Sequence, residues 1–459
     1  MPEIILENIV FQETFRLAVG WWWLWAPVVL AFAAWQYWLL YVRSHYYVNT
    51  QWVLLEIRVP REIAKTPLAM EQIFAGLHGA RRSGNLIDRY WDGFIPPWFS
   101  LEIVSRQGIP HFYIRAPRFF KQMVEAQIYA QYPQSEIREA DDYVDDVPHI
   151  VPDENWNMYG SEFTLTKPDA YPILTYPLFH ITEGIKEEAE KVDPLSALLE
   201  FFSTMKRGEH MWLQILIRPA GDEWKVAGEK LVAKLIGKKT PPEAKKGLAV
   251  LGGEAQTVTK EAWQEIAHFG EAALSVKPGK EIMRKEQKKE EAGSLWQHLS
   301  KGEQEVVTAI QRNISKLGFE TGIRFCYIAR RDLYTIMVYP ALIGIMKQYN
   351  SQFLNGFKPT NSASVDYPPY KQRREAMKKQ ALMAFYRERS FFYPPYTYYR
   401  HPSWIHPSIP SSAKAANKPF VLNTEELATI YHFPGMVAAA PTIERIEAKK
   451  VEPPPNLPI

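Results

Sequence analysis

The sequence predicts an α+β protein with one N-terminal transmembrane helix, two ferredoxin-like domains and a proline- and tyrosine-rich C-terminal arm. Three observations carry this prediction: a long uncharged apolar run near the start, two successions of strand-like and helix-like hydrophobic patterns, and a change of composition after Phe357. The chain has 459 residues and a formal net charge of +3, so its overall charge gives no case for nucleic-acid binding.

The first element is the apolar run from Leu17 to Val42, which follows a short segment of residues 1–16. At about 1.5 Å per residue, such a helix is about 39 Å long and crosses a hydrocarbon core of about 30 Å. Indole and phenol rings, which prefer the headgroup boundary, crowd both ends of the run. They belong to Trp21, Trp22, Trp23, Trp25, Trp35, Tyr37, Trp38 and Tyr41.

Two other interpretations of this run stay open: a core helix of a soluble domain and a cleaved signal peptide, for which Ala31-Phe32-Ala33 imitates a cleavage site. The leader carries three glutamates and one arginine, which disfavours the signal peptide. Basic residues that follow the run favour a cytoplasmic location for the rest of the chain. We therefore expect a single-pass protein of the bacterial cytoplasmic membrane with its C-terminal domains in the cytoplasm.

The first ferredoxin-like domain is predicted for residues 51–146. Period-two alternation indicates strands at 51–60, 98–105, 109–115 and 135–143, and 3.6-residue spacing indicates helices after Thr66 and after Pro117. The resulting β-α-β-β-α-β order is that of a ferredoxin-like unit. Such a fold carries no function by itself.

A second ferredoxin-like domain is predicted for residues 159–357. A strand near Ser161, a helix after Asp193 and a strand at 212–218 begin the same pattern again. A segment at about 237–294, rich in Lys, Glu, Gly and Ala, then interrupts it, and its low hydrophobicity predicts a mobile insertion. Helical and strand-like patterns resume after Glu303.

The remaining residues, 358–459, are predicted to form a basic helix and a proline-rich arm. The basic helix carries a set of cations that are candidates for binding nucleic acid or lipid headgroups, with a solvated helix face as the plainer alternative. These residues are Lys371, Arg373, Arg374, Lys378, Lys379, Arg387 and Arg389.

Motifs that would indicate catalysis, a cofactor or a metal ion are missing, so we predict a protein that is not an enzyme. Gly237-Lys238-Lys239-Thr240 lacks the upstream glycine of a phosphate-binding loop, because Val232 stands there. The only cysteine, Cys326, falls in a predicted strand. The acidic residues Asp141, Asp142, Asp145 and Asp146 are interpreted as a solvated linker rather than a cation site.

Several local strings resemble one known family: FIPPWFSLEIVS at 94–105, IYAQYP at 128–133, FLNGFKP at 353–359 and FVLNTEELATIYHFP at 420–434. They are similar to the region that precedes the motor in bacterial type IV secretion and conjugation-like ATPases of the HerA/FtsK class. In the longer relatives the last string leads into the ATPase domain, which has no counterpart here. The resemblance therefore implies a membrane-bound accessory part that works with a separate hexameric ATPase.

The resemblance also suggests where that ATPase would dock, namely on Leu422, Glu425, Leu427, Ile430 and Tyr431. The first interpretation is thus an ATPase-less, membrane-anchored scaffold of a DNA or protein translocation machine, with assembly into a homo-oligomer expected by analogy. The alternative is a membrane-tethered protein that binds DNA or other nucleic acid without a motor. An enzyme with dispersed catalytic residues is a third possibility.

Overall fold

The computed structural model of the protein describes residues 20–60, 65–179, 193–236, 299–365, 368, 370–393 and 418–434. The residues before Gly20, the predicted insertion at 237–294 and most of the tyrosine- and proline-rich arm lie outside the described residues.

Eleven α-helices and nine strands are assigned within the described residues. The helices are α1 (Trp22–Asn49), α2 (Leu68–His78), α3 (Leu86–Tyr90), α4 (Lys121–Gln131), α5 (Tyr176–Phe179), α6 (Ser196–Ser203), α7 (Glu223–Leu235), α8 (Lys301–Ile314), α9 (Val338–Met346), α10 (Lys371–Arg387) and α11 (Thr424–Ile430). The strands are β1 (Trp52–Arg58), β2 (Phe99–Arg106), β3 (Ile109–Pro117), β4 (Glu136–Glu139), β5 (Trp156–Leu165), β6 (Glu209–Pro219), β7 (Gly318–Arg330), β8 (Phe357–Thr360) and β9 (Phe420–Asn423).

The chain divides into two compact units. The larger unit joins residues 1–229 to residues 306–459 and contains the sheet, whereas the smaller unit is 230–305. Within the described part of the smaller unit, the Ser300 amide and hydroxyl both donate to Glu303 Oε2 at 2.8 Å, which caps the start of α8.

The described strands form one antiparallel sheet in the order β4-β1-β3-β2-β6-β7-β5-β8, and β9 pairs with β7. Gln107 and Gly108, with φ of 56° and 85°, form the tight turn that joins β2 to β3. Strand β2 pairs with β6 over its whole length, from Phe99 opposite Ile217 to Arg106 opposite His210. The two predicted domains are therefore continuous through a single sheet, a junction that hydrophobic patterns do not predict.

Successive side chains of a strand point to opposite faces of the sheet, and each face is covered by its own apolar core. On one face, Leu55 and Leu101 belong to a large apolar core with side chains of α2, α4, α6, α9 and α11. On the other face, Leu54 and Trp212 belong to a second core with Leu382 and Tyr386 of α10. The predicted basic helix is thus one cover of the sheet.

Several predicted elements differ from the observed ones. Helix α1 continues to Asn49, past the predicted end at Val42, because its last turns pack on the sheet. Strand β4 has only four residues, since Asp142 and Tyr143 turn away toward α10. Residues 420–430, predicted as part of an arm, supply β9 and α11.

Candidate functional site

The junction between α1 and the sheet is an aromatic cluster. The ring of Tyr47 stacks on Trp98 with centroids 5.9 Å apart, and Trp98 lies 4.7 Å from Trp52 at the start of β1. Tyr46 meets Phe94 edge to face at 5.7 Å. These contacts make the end of α1 continuous with the sheet.

The loop that precedes Trp98 closes directly on the backbone of α1. Gly93 has a φ of +69°, and a Cβ placed there would lie 2.2 Å from the carbonyl oxygen of Val42. Only glycine combines this left-handed conformation with such a close approach. The loop therefore holds the helix at a fixed position.

The same junction reaches the end of α10. The Tyr47 hydroxyl donates to the carbonyl oxygen of Glu388 at 2.9 Å, and Trp98 Nε1 donates to the carbonyl oxygen of Arg389 at 3.2 Å. Arg389 itself has a φ of +50°, which is unusual for a residue with a side chain. The chain turns sharply here. The carbonyl groups of Glu388 and Arg389 therefore face Tyr47 and Trp98, while the Arg389 side chain reaches Glu102 on the buried face of the sheet.

The Arg389 side chain ends in a buried ion-pair network at the centre of the sheet. Its Nε donates to Glu102 Oε1 at 3.0 Å and its Nη2 to Asp142 Oδ1 at 2.8 Å. Glu102 also accepts from the Tyr143 hydroxyl at 2.7 Å. Arg389 and Glu102 expose no side-chain surface. Burial alone lowers the pKa of Arg389, but Glu102, Tyr143 and Asp142 together raise it well above its ordinary value, so the guanidinium stays charged.

Glu102 belongs to a line of polar side chains that crosses the sheet, which we call the polar row. Its members stand directly opposite one another on neighbouring strands and hence share one face of the sheet. They are Glu56 on β1, Tyr113 on β3, Glu102 on β2, Gln214 on β6, Arg324 on β7 and Glu162 on β5. All six are buried.

The arginine of the polar row, Arg324, holds the segment that follows α10. Its Nη2 lies 3.3 Å from Glu162 Oε1 and donates to the carbonyl oxygen of Ser390 at 2.7 Å. The guanidinium also lies 5.2 Å from the centre of the Phe391 ring. Burial lowers the pKa of Arg324 from its ordinary value. Because charged groups without partners are costly to bury, the row fixes α10 on this face of the sheet.

The predicted basic residues are not brought together on one surface. Lys371, Arg373 and Arg374 are exposed in the first turn of α10. The others bond within the fold: Lys378 donates to the carbonyl oxygen of Ser364, Lys379 to Asn157, Arg387 to the carbonyl oxygens of Val147 and Pro148, and Arg389 to Glu102 and Asp142. The face formed by all seven cations is therefore not present.

The five residues predicted to dock an ATPase are buried within the fold, so they do not form an exposed docking surface. Leu422, Leu427 and Tyr431 have no accessible surface, while Glu425 and Ile430 have at most 3%. Strand β9 pairs with β7, and Glu425 accepts from the Thr175 hydroxyl at 2.6 Å and from Arg312 at 2.9 Å. The apolar residues of this segment complete the larger core, on the face of the sheet that α2, α4, α6 and α9 also cover.

Three of the four acidic residues interpreted as a solvated linker are ion-pair partners. Asp142 binds Arg389, Asp145 lies 3.3 Å from Arg387, and Asp146 lies 2.7 Å from Arg106. In sequence, an acidic run with a basic helix far along the chain is the one signal that could have suggested this pairing. Across the described ranges, no group of acidic, histidine and cysteine side chains is placed to hold a metal ion.

Two clefts lie outside this network. One, of about 570 Å³, lies beside the end of α1 and has Asp92 and Arg118 in its lining. The other, of about 440 Å³, is lined by Arg106, Arg207 and Arg330 at the far end of the polar row's strands.

These features define a mixed α+β protein with one antiparallel sheet and a candidate membrane helix at its N-terminal side. Residues 45–444 match a family described as a domain of unknown function (DUF8128), and the chain belongs to that family. The match begins in the last turns of α1, where the aromatic junction starts. No curated protein matches the chain.

Proposed function

We propose that this protein is a membrane-anchored scaffold, an accessory component of a type IV secretion or conjugation-like translocation machine. The observation that carries the proposal is the junction of α1 with the sheet, where aromatic packing and the Glu388–Arg389 turn connect the apolar helix to the buried centre of the fold. A helix fixed in this way transmits position from a membrane to the sheet.

The exposure of α1 supports an anchor over a core helix. The helix is long and apolar enough to cross a membrane by length and composition, and only 12% of its most apolar window is buried. Val28 and Leu30 each expose 68% of their surface. Such a face is costly in water and is stabilised in hydrocarbon.

Fractionation of the full chain tests the anchor. We expect the protein to stay in bacterial membranes after an alkaline carbonate wash, and the Leu30→Arg variant to be released, because a central arginine costs about 3 kcal/mol on the insertion scale. Phe353→Arg is the matched control, since Phe353 is 74% exposed in the loop before β8. Release of the unchanged protein would overturn the anchor, and an intact mass lacking residues 1–33 would identify a signal peptide instead.

The sheet order supports two ferredoxin-like units joined side by side. Strands β1 to β4 follow the spatial order β4-β1-β3-β2, and strands β5 to β8 follow the equivalent order β8-β5-β7-β6. The two ferredoxin-like halves of the sheet meet through equivalent strands, β2 and β6, so that Glu102 stands opposite Gln214. This arrangement makes one long, continuous sheet, which is a suitable platform for a scaffold.

A separate HerA/FtsK-class ATPase is the proposed partner, on the basis of the sequence resemblance. The 422–431 segment is buried, so its deletion would disrupt the fold and give no clean test of docking. Co-purification of the full chain with such an ATPase from the same organism tests the partnership, with the detergent-solubilised Leu30→Arg variant as a second bait. Recovery of the ATPase by neither bait would contradict it.

The orientation of the anchor is part of the proposal, with the C-terminal domains in the cytoplasm. Arg43 directly follows the apolar run and supports this orientation. A phosphatase that is active only outside the cytoplasm, fused after the last residue, is expected to stay inactive, whereas a fluorescent protein fused there is expected to mature. Phosphatase activity would reverse the orientation.

Nucleic-acid binding is the second candidate, favoured by the exposed first turn of α10 and by the arginine-lined cleft. Phosphate binding predicts a steep loss of DNA affinity between low and physiological salt. The Arg373→Glu/Arg374→Glu variant should then bind DNA more weakly. Glu305→Gln, which changes the charge of an exposed residue elsewhere, is the control. Binding that is absent or insensitive to salt would leave the scaffold alone.

A further inference from the structure

The short helix α3 and the residue after it present an unusual apolar surface. Leu86, Ile87 and Trp91 expose 64%, 67% and 69% of their surfaces. Exposed apolar side chains that are clustered in this way mark a surface that contacts another apolar phase. These three side chains lie at the tip of the loop between α2 and β2, and the described part of the protein leaves each of them more than half exposed.

The position of α3 along α1 identifies that phase. Trp38 Nε1 donates to the carbonyl oxygen of Tyr90 at 2.9 Å, and the rings of Trp38 and Trp91 lie 5.2 Å apart. Trp35 lies 5.6 Å from Tyr90. Helix α3 is therefore level with residues 35–38 of α1.

That level falls at the edge of the proposed membrane span. About 20 residues at about 1.5 Å each cross the hydrocarbon core, so a span that begins near Trp22 ends near Tyr41. Trp35, Tyr37 and Tyr41 are exposed here, as expected for rings at the headgroup boundary. A helix packed beside these residues lies in the same boundary and not in bulk water.

The charges around α3 fit an interface of this kind. Arg81 and Arg82 are exposed just before it, and the Arg82 guanidinium lies 5.2 Å from the centre of the Phe94 ring. Among the nearby acids, Asp88 accepts from the Asn85 amide at 3.0 Å within a capping box, Asp92 is exposed, and the Glu223 carboxylate lies on the side of Arg81 that faces Gly221. An apolar tip beside arginines is the composition of segments that enter the headgroup layer of anionic membranes.

We propose that α3 and Trp91 are embedded in the headgroup layer at the end of the span, with Arg81 and Arg82 on lipid phosphates. The inference rests on the proposed anchoring of α1 and adds a second membrane contact. Because the Gly93 loop is fixed on α1, two contacts set the tilt and the rotation of the whole sheet relative to the membrane plane.

The test uses the full chain in vesicles of phosphatidylcholine and phosphatidylglycerol. An environment-sensitive dye is attached to Ile87→Cys, to Phe32→Cys in the middle of the proposed span, or to Phe353→Cys in the loop before β8. All three side chains are exposed, and the unsubstituted protein, whose Cys326 is buried, reports the background. Lipids that carry spin labels either near the headgroup or deep in the acyl chain then quench any dye at the depth of the label.

We expect the dyes at positions 32 and 87 to show blue-shifted emission, the dye at 87 to be quenched by the shallow label and the dye at 32 by the deep label, whereas the dye at 353 stays in water. Quenching at 32 without quenching at 87 would overturn this inference and leave the anchor intact. Absence of quenching at both positions would overturn the anchor as well. A blue shift at 87 without lipid quenching would show that a protein covers the patch, which also overturns the inference.

Discussion

The carboxylate of Glu102 and the guanidinium of Arg389 form a fully buried ion pair between strand β2 and the end of α10. The carbonyl oxygen of Arg389 accepts a hydrogen bond from Trp98, which stacks on Tyr47 of α1. One residue thus connects the apolar helix, the basic helix and the centre of the sheet.

Arg389→Met should destabilise the protein strongly, because it leaves the buried Glu102 carboxylate without its cation. Loss of one partner of a buried pair typically costs about 3 to 5 kcal/mol. The Glu102→Gln/Arg389→Met double variant should recover part of this loss, since it removes both charges of the buried pair and leaves without Arg389 only Asp142, whose side chain is 33% exposed. Urea unfolding of the detergent-solubilised protein measures the effect, with the exposed Arg373→Met as control. Equal stability of Arg389→Met and the control would contradict a structural role for the pair.

The link between Asp142 and Arg389 should weaken in acid. Burial raises the pKa of Asp142, but the hydrogen bonds and charge of Arg389 outweigh burial and lower the pKa below its ordinary value of 3.8. The unfolded chain therefore takes up this proton first, so the stabilisation is present above the ordinary pKa and is lost as the pH falls through the lower folded value. Urea midpoints from about pH 6 to about pH 3 should fall less steeply for Asp142→Asn. Asp332→Asn, in an exposed pair with Arg330, should keep the slope of the parent.

Gly93→Ala should loosen the junction between α1 and the sheet. An added Cβ would lie 2.2 Å from the Val42 carbonyl oxygen at a φ of +69°, so either the loop or the helix must move. We expect faster proteolysis between α1 and β1. Gly344→Ala is the matched control, because nothing lies within 4 Å of its added Cβ, and alanine should stabilise α9 by about 1 kcal/mol. Unchanged proteolysis of Gly93→Ala would refute the fixed junction.

Cys326 should be unreactive in the folded protein. Burial raises the pKa of its thiol to about 12, and the side chain has no accessible surface. The reactive thiolate is therefore nearly absent at neutral pH. A colorimetric thiol reagent should label the protein in urea and leave it unlabelled without urea. Rapid labelling of the folded protein would show that the β6–β7 region of the sheet opens locally.

Hydrophobic periodicity predicts most of the sheet, because each strand has one face against an apolar core. The alternation in residues 98–115 predicts the β2–β3 hairpin, and the change to helical spacing after Pro117 predicts α4. The boundaries drift where tertiary contacts decide them. Helix α1 runs on to Asn49 because Tyr46 and Tyr47 find aromatic partners that lie elsewhere in the sequence.

The basic helix shows why the candidate site could not be predicted fully. Lys371 and Arg389 look alike in sequence, yet the first is exposed and the second is buried. What separates them is the position of Glu102 and Asp142, which are distant in the chain. The resemblance likewise placed 422–431 at a surface for an ATPase, whereas these residues are buried against the sheet of the same molecule.

The sequence by itself determined the apolar helix, the strand and helix periods and the absence of a phosphate-binding loop, because these follow from local composition and spacing. Only the tertiary structure decided that β2 meets β6, that one arginine serves the junction and the polar row, and that the C-terminal segment is core. Those decisions depend on which side chains become neighbours after burial, and the free energy of a buried charge is set by its neighbours and not by its place in the chain.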